Sequence, residues 1–274
     1  MDLNYAWKII CIALSLTIFS CTEDVDFSPG PNLIDEYYPI AEGDVKTYAV
    51  DSITYDYDGL LQQIVIDTQQ YFIREVVEGT IQMGNEPWWR VGIYRSDEPD
   101  RNFKLTEYAY LRNTNNQLLR KEGNLIFIPL GSPMELFTEW DGTANFNPDQ
   151  AQFFIRGEVV APYVDWNYIL LKKWDTYEVL DRTYDNVLQI NQKDTAAIQT
   201  DNGQTIDPVN QLFYTLANEF YAPGVGLIRK EVYHLTSICA SSNVQEYESF
   251  CDSTTIFANA ERGFVFHKKL ISSE

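Results

Sequence analysis

Polar and apolar residues alternate from Val45 to Gly79, in VKTYAVDSITYDYDGLLQQIVIDTQQYFIREVVEG, on both sides of an Asp58-Gly59 step. A period of two sends successive side chains to opposite faces of a strand, and Asp-Gly favours a two-residue hairpin turn. The segment is therefore expected to be a β-hairpin. Its YDYDG core is not a calcium loop, because Thr54 falls where the first ligand Asp belongs and Val65 where the bidentate Glu belongs. The strand signal returns in PWWRVGIYRSD and in FKLTEYAYLRNTNNQLLRKEGNLIFIPLG, with joints at Asn113–Gln117 and around Gly123. It continues through DWNYILLKKWDTYEVL and YDNVLQINQKDTAAIQTDNGQTI, where Asn202-Gly203 marks a further turn, and ends in FYAPGVGLIRKEVYHL and ERGFVFHKKLI.

One segment admits a helix. In DPVNQLFYTLANEFY, Asp207 suits a cap, Pro208 the first helical position, and Leu212, Leu216 and Phe220 share a helical face. It reads equally as a strand leading into Gly224. Composition supports strands elsewhere, since 18 Tyr, 15 Phe and 6 Trp make 14% of the chain and aromatic side chains suit a pleated, half-buried surface. The expected fold is all-β, with roughly ten to fourteen strands forming a curved antiparallel sheet, an open barrel or half-barrel of the lipocalin or lipoprotein-carrier kind. A β-sandwich is the alternative, with at most one or two short helices.

The first residues follow a different pattern. Lys8 precedes an apolar run from Ile9 to Phe19, which is too short to span a bilayer as a helix but suits a signal peptide. Ile18, Ser20 and Cys21 then resemble a bacterial lipobox, in which cleavage before the cysteine exposes it for diacylglyceryl modification. An ordinary secretory signal with a free Cys21 is the alternative. Glu23, Asp24, Asp26, Pro29, Gly30 and Pro31 cannot bury a core, so residues 21–35 are expected to form an acidic tether after a signal at 1–20, with one β-rich domain over 36–274. Acidic residues just after such a cysteine also resemble the surface-export signal of Bacteroidota lipoproteins.

Charge narrows the partners. With 40 acidic and 20 basic residues, the net charge is −20. Nucleic acid is excluded as a partner, since its binders use Lys and Arg to release phosphate counterions. The same charge disfavours direct contact with anionic headgroups, leaving Cys21 as the route to a membrane. Of the four cysteines, Cys11 lies in the signal, so Cys239 and Cys251 remain as a disulfide pair in an oxidising compartment or as two separate thiols.

The landmarks YYPIAEGDVKTYAVDSI, FIPLGSPMELFTEWDGTANFN, DWNYILLKKWDTYEVLDRTYDNVLQINQKD and EFYAPGVGLIRKEVYHL resemble a large class of Bacteroidota cell-envelope lipoproteins. The resemblance spans most of the chain after the signal. It departs at PLGSPMELFTEW and in the Cys239–Cys251 segment. It implies an outer-membrane, cell-envelope location, possible surface exposure, and a β-rich fold, but no reaction.

No catalytic constellation accompanies these signals. His234 and His267 are far apart within strand patterns, no G-x-S-x-G elbow is present, and Ser132 lies in the wrong context for one. No metal-ligand pair stands at ligand spacing, and no cofactor is implied. Gly224 and Gly226 lack the third glycine of a dinucleotide site and suit a turn instead. The Trp-carboxylate steps are the remaining candidates. Trp140 beside Asp141, Trp166 beside Asp165 and Trp174 beside Asp175 would suit a sugar-binding face. The sequence therefore points to a non-enzymatic, lipid-anchored envelope protein that binds an envelope partner or an apolar ligand. A carbohydrate-binding or glycan-processing surface lipoprotein is the rival.

Overall fold

The structure is a computed structural model, and it describes residues 33–58, 63–155, 158–200, 210–239, 260 and 262–274. A short helix, α1 (Leu33–Tyr37), is followed by β1 (Val45–Asp58), β2 (Gln63–Met83), β3 (Glu86–Ser96), β4 (Lys104–Asn113), β5 (Gln117–Glu122) and β6 (Leu125–Gly131). After β7 (Glu139–Trp140) come a 3-10 turn at Pro148–Gln150 and a separate two-stranded ribbon of β8 (Phe153–Ile155) and β9 (Glu158–Val160). The chain continues as β10 (Tyr168–Val179), β11 (Arg182–Thr200), β12 (Asn210–Ala222), β13 (Gly226–Cys239) and β14 (Arg262–Ser273).

Twelve strands form one antiparallel sheet in the order β6-β5-β4-β3-β2-β1-β14-β13-β12-β11-β10-β7. Two meanders run outward from a central β1–β14 pair, and their ends come together so that the sheet is nearly closed into a barrel with one seam. A single curved sheet replaces the sandwich alternative. Bulges supply curvature, as at Val77/Gly79, Leu118/Arg120, Asn191/Lys193 and Phe220/Tyr221.

The strands flanking Asp58-Gly59 pair out to Asp58↔Gln63 as a β-hairpin, and the turn expected at Gly59 lies outside the described residues. The segment open to a helix is strand β12, paired with β11 and β13 along its length. Ala217 through Ala222 are all buried, so both faces of the strand are covered and the alternation that would have marked it is lost.

The seam between β6 and β7 is held by a clasp and by packing. The Ile128 N–H donates to the Gly142 carbonyl at 2.8 Å, and the Trp140 indole N–H donates to the Ile128 carbonyl at 2.8 Å. Asp141 accepts from both the N–H and the hydroxyl of Thr143, each at 2.9 Å, which sets the turn. A Cβ on Gly142 would stand 2.2 Å from the Tyr168 ring, so only glycine lets that buried ring close the gap. Behind the clasp, Trp140, Tyr168, Trp166, Tyr163, Phe127 and Phe146 form a run of ring contacts with centroids 5.0 to 6.1 Å apart. Aromatic packing thus replaces the backbone ladder along this line.

Helix α1 covers one end of the barrel. Ile34, Tyr37 and Tyr38 belong to the main core, and the Gly224 N–H, between β12 and β13, donates to the Glu36 carbonyl at 2.7 Å. Asn113, at the end of β4, donates to the Tyr38 carbonyl, and the Tyr37 hydroxyl donates to the Asn186 carbonyl. Leu33, Ile34 and Asp35, which fall in the stretch expected to be tether, are thus part of helix α1.

Candidate functional site

The barrel interior contains a cavity of about 190 Å³. Its outer rim includes Glu107 and Tyr108, which are exposed because β4 outruns β5: pairing between them covers only Ala109 to Asn113. Farther in, its walls carry charge. Glu75 on β2 accepts from Arg120 on β5 at 3.0 Å and from Lys268 on β14 at 2.6 Å, so one carboxylate joins three parts of the wall. Arg120 also donates to Glu122 at 2.6 Å. Across the β12–β13 pair, Lys230 donates to Glu219 at 2.8 Å, and Glu219 accepts from the Tyr221 hydroxyl at 2.5 Å.

The electrostatics follow from these pairings. Burial alone would push the Glu75 carboxyl up, but the charges and hydrogen bonds of Arg120 and Lys268 outweigh it and hold the group well below the usual carboxylate range. Glu219 is also pushed up by burial and is held low by Lys230, Tyr221 and Gln192. The two lysines diverge. Burial lowers Lys268, whose carboxylate partner is shared with Arg120, whereas Lys230 is raised because Glu219 and Glu122 more than offset its burial. Carboxylates held this firmly ionised are poor proton carriers near neutral pH.

Two polar groups on the same cavity stand apart from this pairing. Trp166 is 8% exposed and Gln192 1% exposed, both line the cavity, and among the described residues neither the Trp166 indole N–H nor the Gln192 side-chain carbonyl has a hydrogen-bond partner. The bulge produces this position: Asn191 pairs with Asn218 and Lys193 with Ala217, which leaves Gln192 as the extra residue, aimed into the barrel. The Asn167 N–H donates to the Gln192 backbone carbonyl at 3.0 Å and holds Trp166 beside it. The Gln192 amide group donates to Glu219, so its carbonyl oxygen is the free end.

The sequence candidates separate on this frame. Trp140 and Asp141 form the seam clasp, and Trp166 lines the cavity. Asp165 is exposed, with φ at 58°. Trp174 belongs to a different group, where its indole donates to Gln189 at 3.1 Å and Lys172 lies 3.2 Å from its ring centroid. The three indoles do not converge on one platform. His234 stacks on Phe264 with its Nδ1 3.4 Å from the Thr215 hydroxyl, and His267 Nε2 lies 2.7 Å from the Tyr233 hydroxyl. Among the described residues, no group of three or more His, Cys, Asp or Glu side chains is placed to hold a metal ion. Cys21 and Cys251 lie outside the described residues, and Cys239 is described only as the backbone end of β13.

Sequence reasoning missed the charged wall and Gln192. Glu75, Arg120, Lys230 and Lys268 sit in strands at positions that read as outward-facing, and no local signal marks the bulge at Gln192.

No family model matches the chain, and no curated protein matches it. Among solved structures, it is similar at 11% identity to a Bacteroides fragilis protein described as exported, with a YmcC-like fold. That alignment covers 87% of this chain and 98% of the other at a TM-score of 0.27, which does not establish a common fold.

Proposed function

We propose that the chain is a lipid-anchored cell-envelope protein without enzymatic activity of its own, whose barrel interior binds a small polar ligand. The observation that carries the binding role is the cavity at Trp166 and Gln192, two lining residues that each hold a buried polar group without a partner among the described residues. Buried polar groups are rarely left unpaired, and a concave site with a few convergent polar groups is the usual form of a ligand pocket. The size and chemistry of the interior favour a polar occupant over a lipid: a volume of about 190 Å³ lies below the roughly 300–1,000 Å³ of drug-sized pockets, and the walls carry Glu75, Arg120, Glu219, Lys230 and Lys268. The ionised state of those carboxylates favours binding over proton-transfer catalysis.

The envelope location rests on the sequence around Cys21. Peptide mass spectrometry of protein purified from the membranes of its native host should find residue 21 at the new N-terminus, carrying two or three acyl chains. An unmodified Cys21 would remove the anchor and leave an exported binding protein.

A further inference from the structure

We infer that the interior site takes a neutral, hydroxyl-bearing molecule of monosaccharide size or smaller, held by the Trp166 indole N–H as donor and the Gln192 carbonyl as acceptor. The inference rests on the reading of the interior as a ligand site and specifies its ligand class.

The chemistry follows from what each wall has left to offer. An indole N–H only donates, and a Gln carbonyl oxygen only accepts. A group that satisfies both at once must therefore accept and donate, as a hydroxyl does. An apolar guest would leave both unmet. A charged guest meets a different obstacle, because the charges of the inner wall, inside the exposed rim at Glu107, are already matched: Glu75 serves Arg120 and Lys268, Glu122 serves Arg120, and Glu219 serves Lys230. An anion would have to compete with carboxylates for their cations, and a cation would have to compete with cations for their carboxylates. A neutral molecule disturbs neither set.

The surroundings suit a ring bearing hydroxyls. Trp166 and Tyr163 meet edge to face at 5.0 Å, and both line the cavity along with Tyr168. Aromatic walls cover the apolar faces of such a molecule while the polar groups take its rim. The volume is about six waters at roughly 30 Å³ each, enough for one compact ring and too little for an acyl chain.

The test is calorimetry and thermal shift on the full chain with glycerol, D-glucose and N-acetyl-D-glucosamine. Sodium acetate, ethylammonium chloride and benzene serve as the anionic, cationic and apolar comparisons. A 15N–1H spectrum follows the Trp166 indole N–H, assigned by its loss in Trp166→Phe. The expected result is saturable binding of a hydroxylated probe, movement of that one indole signal, and roughly tenfold weaker binding in Trp166→Phe and in Gln192→Leu. Preferential binding of acetate, ethylammonium or benzene, with the indole signal displaced, would overturn the ligand class but keep the interior as a site. Binding of a hydroxylated probe that leaves the indole signal unmoved would overturn the assignment to Trp166 and Gln192. Failure of all six probes to bind or to move the signal would overturn both the class and the ligand-site reading. Calorimetry on the unmodified protein keeps the test decisive if either variant fails to fold.

Discussion

The cavity has two sides built on opposite principles. Around Glu75, Arg120 and Lys268, every charged group has a partner of opposite sign, and the bonds run across the interior from one part of the sheet to another. On Trp166 and Gln192, an equally buried indole N–H and side-chain carbonyl have none among the described residues. The two sides face the same space, so burial does not distinguish them. What distinguishes them is how they were placed. The ionic side is assembled from regular strand positions that meet across the curve, whereas Gln192 is the extra residue of a bulge and Trp166 lies in the irregular segment between β9 and β10. Paired charges fix the geometry of the barrel, and unpaired groups leave bonding capacity for something else.

The largest way to break the comparison is at its hub. Glu75→Gln removes the negative charge shared by Arg120 and Lys268, leaving buried Lys268 without its ion pair and Arg120 with Glu122 alone. A loss of about 3–5 kcal/mol in denaturant unfolding is expected. The pH dependence tests the same hub. Glu75 and Glu219 have folded pKa values below their unfolded ones, so the stability they contribute is complete above about 4.5 and is lost as the pH falls below it. Melting temperature should decline with acid below that point, and less steeply in Glu75→Gln; a parallel decline in both proteins would dissociate Glu75 from the effect.

Gly142→Ala comes next. Its new Cβ would press into the Tyr168 ring, and a loss of about 1–3 kcal/mol is expected from the strain. A third pair of variants sharpens the contrast between satisfied and unsatisfied indoles. Trp140→Phe gives up a hydrogen bond and strands the Ile128 carbonyl, while Trp166→Phe gives up only packing. In ligand-free protein the first should cost about 1–3 kcal/mol more than the second. Equal costs would mean that the Trp166 N–H has a partner in solution. The smallest effect belongs to the surface, where Glu98→Ala loses an exposed contact with Arg101 and should change stability by less than about 1 kcal/mol.

Much of the wall was legible in the sequence, and the reasons are local. The turns at Asn113–Gln117 and Gly123 fall between β4, β5 and β6 because their strands keep the two-residue period and their joints carry turn residues. Strand β12 was ambiguous because Ala217 to Ala222 are covered on both faces, so that adjacent Asn218 and Glu219 are both buried and the alternation is lost. The interior charges were illegible for a related reason. In FIREVV, LLRKE and FHKKL, neighbouring charged residues read as solvated, and only pairing between strands far apart in sequence turns one of them inward. Trp166 was singled out for its neighbour Asp165, yet it is the indole that reaches the cavity, while Asp165 stays exposed. The role of the Trp-Asp-Gly step was opaque, since its partner Ile128 lies on the other side of the seam.

The seam also sets where the wall should begin to come apart. Interior amides of the barrel exchange with solvent only when neighbouring ladder bonds open together, but the Ile128 amide is held across the gap by the Gly142 carbonyl, and no strand ladder continues along the seam from it. Deuterium should therefore enter β6 and β7 well before the β12–β13 pair. The barrel would fray like a rolled sheet at its overlapping hem, while the β1–β14 pair that joins its two halves opens among the last.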